Sequence, residues 1–447
     1  MITLFLTKSS KKLLLTVLCA VATFGLSAQS GKDSVHINLS KAIEIGLSES
    51  PSIHIADRDI QIKQQYKKEQ IVSLFPDVSL SGSYQYTVLK QSMAMSMGGQ
   101  DMTIKVGKDH NYSVGASLSL PLIVPSLWSS LKLSQMDIEL AMESARSSKI
   151  ELVSQIKQAY YTYLVAQQAY DVLQQSYANT EAANELVTKQ YDQGLVSSFE
   201  KLRSNVALQN RRPEVSAAEK AAELANMRLK IILGLDINEP IIFDGQLSDY
   251  EDEVANAVVP TLNEISLNEN SSLKQMDLGI AQLEQSKKII KGSACPSLAL
   301  SGSLMYSGMG DTGGSFNNFP YSVIGLGLSV PIVSWAGTSY KLKQANLNID
   351  NMQEQRLDVE RNLRLGAQSY LNDMQHAKEN FISDMETMRQ AEEAYSIAQK
   401  QYEIGMNTWL DMNSSELVLT STRLTYCQTL FNYLTAKAAL DALMGKE

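Results

Sequence analysis

Two stretches of this chain are nearly the same text. FPDVSLSGSYQY runs from Phe75 to Tyr86 and CPSLALSGSLMY from Cys295 to Tyr306, with Pro296 standing 220 positions after Pro76. GLSESPSI (Gly46–Ile53) matches SLNENSSL (Ser266–Leu273) at the same offset of 220. SLPLIV (Ser119–Val124) matches SVPIVS (Ser329–Ser334) at 210, and QYDQGLVSSFEKL (Gln190–Leu202) matches QYEIGMNTWLDM (Gln401–Met412) at 211. Leu233–Gly234 and Met444–Gly445 repeat at 211 as well. Landmarks recurring in one order mean two copies of one structural unit.

Each copy predicts the same elements. A helix of roughly 30 residues comes first, about 42–72 and 262–292, followed by two strand-like segments. A helix of about 65 residues follows, at 126–191 and 337–402, then a break at Gly194 or Gly405 and a helix of about 35, at 198–233 and 409–443. At about 1.5 Å per residue the long helix reaches nearly 100 Å, and the two shorter helices laid end to end match it. Met374, Phe381, Met388, Tyr395 and Tyr402 recur every seven residues, as do Tyr163, Tyr170, Tyr177, Asn184 and Tyr191. Such stripes belong at helix–helix seams, and a sustained heptad calls for a left-handed coiled coil.

The repeated stretch reads as a strand with one oily face. Val78, Leu80, Gly82, Tyr84, Tyr86 and Val88 alternate with Ser79, Ser81, Ser83, Gln85 and Thr87. Val114, Ala116, Leu118 and Leu120 alternate with Ser113, Gly115, Ser117 and Ser119. Leu298, Leu300, Leu304 and Tyr306 alternate with Ala299, Ser301, Ser303 and Ser307; Ile324, Leu326, Leu328 and Val330 alternate with Gly325, Gly327 and Ser329. Segments of about ten residues with this pattern suit a transmembrane barrel with a water-filled lumen. A soluble sandwich needs more strands than four. The loops between the strands, about 90–111 and 308–320, show no regular pattern, and Pro76, Pro121, Pro296 and Pro331 are expected where strands meet helices.

Four strands cannot close a barrel, for which about eight is the practical minimum, and open edges are not tolerated in lipid. The chain must therefore share a barrel with other copies of itself. Export fits this: Lys8, Lys11 and Lys12 precede an apolar run from Leu13 to Leu26 and small residues at Ser27 and Ala28, the form of a secretory signal peptide over 1–28. Cys19 is poorly placed for a lipid anchor. Without the leader, 36 Lys and Arg face 48 Asp and Glu, about −12, which argues against nucleic-acid binding. Cys295 and Cys427 alone remain, the first where a predicted helix ends at the membrane and the second inside the helix that starts from the distant tip, tens of ångströms away, so no disulfide is expected.

These features resemble the TolC-like outer membrane efflux proteins. INLSKAIEIGLSESPSI, the duplicated hairpins and two Y-x-x-G-x-x-[ST]-x-x-[DE] segments carry the likeness, which covers essentially the whole mature chain. The resemblance implies an α+β membrane protein: four transmembrane strands per protomer in a shared trimeric twelve-stranded barrel in outer membrane lipid, above a long periplasmic α-helical barrel. The chain then divides into the leader 1–28, a first repeat 29–234 with hairpin 77–121, an equatorial connector 235–260, and a second repeat 261–447 with hairpin 297–331. The implied role is a passive exit duct in a tripartite efflux system. Its implied partners are two further copies in a homotrimer, a periplasmic adaptor (membrane fusion protein) and an inner-membrane transporter of the RND type. A type I protein secretion duct, and a non-pore periplasmic coiled-coil scaffold, remain as alternatives; only the scaffold would dispense with detergent.

The resemblance places the periplasmic tip and gate at Tyr191, Gly194, Ser197, Glu200, Tyr402, Gly405, Asn407, Thr408 and Asp411. Glycine suits the end of each long helix, Ser197 and Thr408 suit N-caps, and Glu200 and Asp411 suit the first turn of the next helix, Ser197 and Glu200 as a capping box. Threefold assembly would turn the two acids into rings that favour cations, and Tyr402 would tie the closed tip by hydrogen bonds. Asn407 stands where the family's arginine would make a salt bridge, and Ser414 where a second acid would complete a double ring, which leaves packing by Trp409. No catalytic constellation is visible, and no cofactor is expected. GMGDTG (Gly308–Gly313) opens no helix, and His36, His54, His110 and His376 lack metal-ligand spacing. Met93, Met95 and Met97 alternate, with Met102 nearby; such thioethers suit Cu(I), or form a flexible apolar stripe.

Overall fold

The computed structural model describes residues 35–97, 100–311, 316–332 and 335–446. The leader, and Gly313 with its neighbours in GMGDTG, lie outside them, as do the side chains of Met95, Met97 and Met102. The elements in order are β1 (Val35–Ile37), α1 (Leu39–Glu49), α2 (Pro51–Val72), β2 (Asp77–Tyr86), β3 (Gln91–Met97), β4 (Gln100–Val106), β5 (His110–Ile123), α3 (Pro125–Asp192) and α4 (Ser198–Leu233). Then come β6 (Ile241–Phe243), α5 (Glu251–Asn256), α6 (Ser271–Gly292), β7 (Ser297–Gly310), β8 (Asn317–Ser329), α7 (Trp335–Glu403) and α8 (Trp409–Leu443). The helices after each tip, α4 and α8, have the expected bounds.

One lateral order runs the length of the molecule. The main sheet is β2-β5-β7-β8, antiparallel throughout, so the copies join at β5–β7 and leave β2 and β8 as open edges. Below it α2, α3, α6 and α7 pack in that same sequence, and lower still α4, α3, α8 and α7 do. The long helices α3 and α7, 68 and 69 residues, span both levels. The short helices stack in pairs, α2 above α4 and α6 above α8. The protomer is an open ribbon four elements wide.

Register confirms the faces of the strands. Leu80 opposite Ala116, Leu300 opposite Leu326 and Leu298 opposite Leu328 share the oily face, where Leu80 is 79% and Ile324 83% exposed. On the other face Ser79 bonds Ser117 at 2.7 Å and Ser83 bonds Ser113 at 2.8 Å. The aromatics Tyr84, Tyr86, Tyr112 and Tyr306 gather at the outer end, and exposed Phe75, Trp128 and Tyr340 stand at the strand–helix junctions. Two such girdles about 25 Å apart bracket a membrane-spanning band.

Several expectations need correction. The helix expected over 42–72 is two helices, because Pro51 supplies no N–H for the ladder and holds Ser50 extended at ψ 128°. The helix expected over 262–292 begins only at Ser271, where Asn270 accepts a bond from Leu273 N at 3.1 Å. The 90–111 loop folds as the hairpin β3–β4, with Met95 opposite Met102 in register. The 308–320 loop shrinks because β7 runs to Gly310 and β8 starts at Asn317. Pro121 lies inside β5, just before a register break. The inner face is not small and polar throughout: Met305, Met309, Phe319, Tyr321 and Val323 also occupy it.

The segment expected as an unpatterned connector closes the midpoint of the molecule. β6 pairs parallel with β1, and Phe243, Leu247 and Val254 are buried against Tyr160 and Tyr161 of α3. The Tyr160 hydroxyl donates to the Asp244 carbonyl, and Tyr161 packs edge-on against Tyr250 at 5.4 Å. Each repeat also closes on its own start. Gly234, at φ 78°, sits where a Cβ would lie 2.7 Å from the Glu49 carbonyl, and Gly445, at φ 77°, abuts the Glu269 carbonyl. The repeated landmarks near residues 46–53 and 233–234 are therefore two sides of one contact, made twice.

Candidate functional site: the helical tip

Each long helix ends in a left-handed glycine, Gly194 at φ 75° and Gly405 at φ 76°. Leu195 N then donates to the Gln190 carbonyl at 2.9 Å and Met406 N to the Gln401 carbonyl at 2.8 Å, which satisfies the last turns. Ser197 Oγ accepts from Glu200 N at 3.3 Å and Thr408 Oγ1 from Asp411 N at 3.2 Å, starting the returning helices. The Thr408 hydroxyl donates to Asp411 Oδ2 at 2.5 Å, and Asn407 Oδ1 accepts from Thr408 N at 2.9 Å. The capping box expected at Ser197 is only half formed: Glu200 makes no return bond. Its carboxylate lies toward Tyr402 instead, where its charge adds to burial in raising the phenol pKa.

The two tips pack differently. Val187, Tyr402, Trp409 and Met412 form a small buried core, with Val196 and Ala207 against it. Side chains then tie one repeat to the other. The Tyr402 hydroxyl donates to Gln190 Oε1 at 2.8 Å, Arg203 lies over the Trp409 ring at 5.7 Å, and Arg211 pairs with buried Glu416 at 3.1 Å. Thr420 also donates to Glu416 at 2.9 Å. Phe199, Leu202 and Val206 point away from that core and stay exposed along one face of α4. Lys201 sits over the Tyr191 ring at 4.5 Å.

The sequence matches the outer membrane efflux protein description over residues 42–235 and 262–446, one match to each repeat. The chain belongs to the outer membrane efflux protein family. Solved channels share its fold at low identity. The CmeC outer membrane channel of Campylobacter jejuni aligns with a TM-score of 0.72 at 16% identity, over 95% of this chain and 91% of that one. VceC of Vibrio cholerae gives 0.70 at 15%, over 91% and 96%. The Neisseria gonorrhoeae MtrE channel in its open state gives 0.70 at 17%, over 91% and 89%. A search of curated proteins by sequence returned no match. The fold is TolC-like, with four strands contributed to a shared barrel, and the protein is an outer membrane transport conduit rather than an enzyme.

In this efflux protein the sequence-predicted tip residues fall into three groups. Tyr402 is buried and bonded across the repeats. Gly194, Gly405, Ser197, Thr408, Asn407 and Asp411 build the turns and caps. Tyr191 stays on the surface, and Glu200, in the first turn of α4, turns its carboxylate toward Tyr402 rather than closing the cap. Gln190, Arg203, Arg211 and Glu416 were missed, since pairing between helices some 200 residues apart leaves no mark in local spacing. No group of three or more His, Cys, Asp or Glu side chains suited to a metal ion occurs among the described residues.

Proposed function

We propose that the protein is the exit duct of a tripartite efflux system. Three copies form a barrel in the outer membrane and a helical tunnel in the periplasm, and they receive cargo from an inner-membrane transporter of the RND type through a periplasmic adaptor. The observation that carries this reading is the open ribbon. β2 and β8 are unpaired edges at the membrane, and α4 and α7 are edge helices below, each with exposed apolar residues such as Leu224 and Ile231 or Leu365 and Ile382. Threefold closure pairs β8 with the next β2 and α7 with the next α4. It removes edges that lipid cannot tolerate and covers both stripes.

The periplasmic tip is the gate in this reading. Its helix turns are fixed by caps, while Tyr402, Trp409 and Arg211 hold the two hairpins of a protomer together. Asp411 keeps an exposed carboxylate even though one oxygen serves the cap, and Glu200 stands on the neighbouring hairpin. Three copies bring up to six acids to the entrance, which favours cations. Reconstitution in planar bilayers tests this. The parent should conduct with cation preference and be blocked by trivalent cations, and Asp411→Ala with Glu200→Ala should weaken both. Unchanged selectivity and block would leave the acids as helix caps only, and a protein that conducts no ions would rule out the duct.

A further inference from the structure

The inner wall of the barrel changes character along its length, and the register shows where. Ser81, Gly115, Met305 and Tyr321 stand in one row; Ser83, Ser113, Ser307 and Phe319 stand two residues nearer the outer loops. Met309 lies in the row beyond and Val323 in the row below. Closer to the periplasm the same face of β8 carries Gly325, Gly327 and Ser329. The bulky apolar groups are thus confined to the outer half of β7 and β8, and the rows continue across β2 and β5 as serines, Gly115 and the amides Gln85 and Asn111.

These side chains do not serve the fold in any evident way. In one protomer Phe319, Tyr321 and Val323 are each about half exposed on the side away from lipid, and the β2 of the next copy, beside them in the closed barrel, brings only the short side chains Ser79, Ser81 and Ser83 to that face. Met305 is laid along the wall onto Gly115, where any Cβ would collide with its thioether. Apolar surface left facing water marks a place where something else is bound. Here the surface belongs to the wall of the conduit, so the molecules that cover it are those that pass.

We propose that Met305, Met309, Phe319, Tyr321 and Val323 form an apolar contact strip in the lumen for amphiphilic cargo that bears aromatic rings. The inference rests on the duct reading. Ring faces and thioethers stack on flat apolar groups and on organic cations. The hydroxyls of β2 and β5 alongside take the polar part of the same molecule. Among inner positions of the four strands Asp77, at the periplasmic end, carries the single charge, so the strip sorts by shape and polarity. Contacts must be weak enough to release, as conduction requires.

The test is single-channel recording of the full chain in planar bilayers carrying potassium chloride current, with tetraphenylphosphonium added on the outer side. The parent should show brief interruptions of current, absent with tetramethylammonium. Met305→Ser with Phe319→Ser and Tyr321→Ser should shorten them on the order of tenfold, the effect of about 1.4 kcal/mol of lost contact, at little change in potassium chloride conductance. Phe319→Ser alone should shorten them about threefold, and it decides the matter if the triple variant fails to insert. Equal durations in parent and variants would overturn the contact strip. A parent that carries no potassium chloride current would overturn the duct reading beneath it.

Discussion

The two tips are written with one motif and built with one backbone, yet they pack in opposite ways. Tyr191 and Tyr402 hold equivalent positions, as do Ser198 and Trp409. Tyr402 is 5% and Trp409 3% exposed, while Tyr191 is 38% exposed and Ser198 lies on the surface. The cause is position in the ribbon: α8 lies between α7 and α3, whereas α4 is an edge helix that touches α3 alone among the long helices. The difference separates two jobs that the motif confounds. Glycine, hydroxyl and acid at fixed spacing make a tight helical turn wherever they occur. What holds one turn to its neighbours is supplied by the residues the copies do not share.

If this separation is right, the largest effect comes from emptying the second tip. Trp409→Ala leaves a cavity among Val187, Tyr402 and Met412 and should cost about 3–5 kcal/mol of local stability. Amide exchange at the α7–α8 turn should then quicken by two decades or more. In the free protomer, where no neighbouring α7 covers α4, Phe199→Ala in the first tip should leave exchange of the α3–α4 turn almost unchanged, within about 0.5 kcal/mol. Similar losses at both turns of the free protomer would mean that α4 is not its edge helix and would break the comparison.

The next effect links the tips. Arg211, on the exposed-tip repeat, bonds Glu416, whose side chain is buried in the other, and it also holds Glu214 at 2.7 Å. Arg211→Ala strands a buried carboxylate and should cost about 3 kcal/mol. Arg211→Leu with Glu416→Leu should restore most of that, because the stranded charge is gone. Hydrogen exchange over α4 and α8 measures both. If the double variant is no better than the single one, the pair holds the hairpins by direct attraction rather than by mutual neutralisation.

The sequence made the helical tips legible and left the midpoint obscure, for physical reasons. Glycine at positive φ and hydroxyl N-caps act through neighbours three to five residues away, so the bounds of α4 and α8 could be read from local text. Phe243 and Val254 are buried only because Tyr160 and Tyr161 arrive from a distant helix, and no short-range period records that. The β3–β4 hairpin was different: Met93, Met95 and Met97 already alternated with period two. The signal was in the text in full: Gly98 and Gly99 separate Met93, Met95 and Met97 from Met102, Ile104 and Val106, two runs of period two, and Gly107 follows.

The smallest expected effect lies at Cys427. Its counterpart 211 positions earlier is Ser216, which is exposed on α4, while Cys427 is buried in the core beside Tyr426. Burial pushes the Cys427 thiol up to about 11 from an ordinary value of 9.0. At pH 8 only about one thiol in a thousand is then ionised, and the thiolate is the reacting species. Maleimide at pH 8 should label exposed Cys295 and spare Cys427 in the folded protein. The linkage has a definite sign. The unfolded thiol loses its proton near pH 9 and the folded one near pH 11, so the unfolded state binds fewer protons between these values and stability falls as pH rises through the window. The loss should be under about 3 kcal/mol, the ceiling for a shift of two pH units, and Cys427→Ser should remove this contribution to the pH dependence. Introducing Ser216→Cys into the first repeat sharpens the contrast. A thiol there should react at pH 8 in the free protomer and be shielded only if the neighbouring copy's α7 covers that face of α4. Rapid labelling of Cys427 would mean that α8 is not the interior helix of the ribbon.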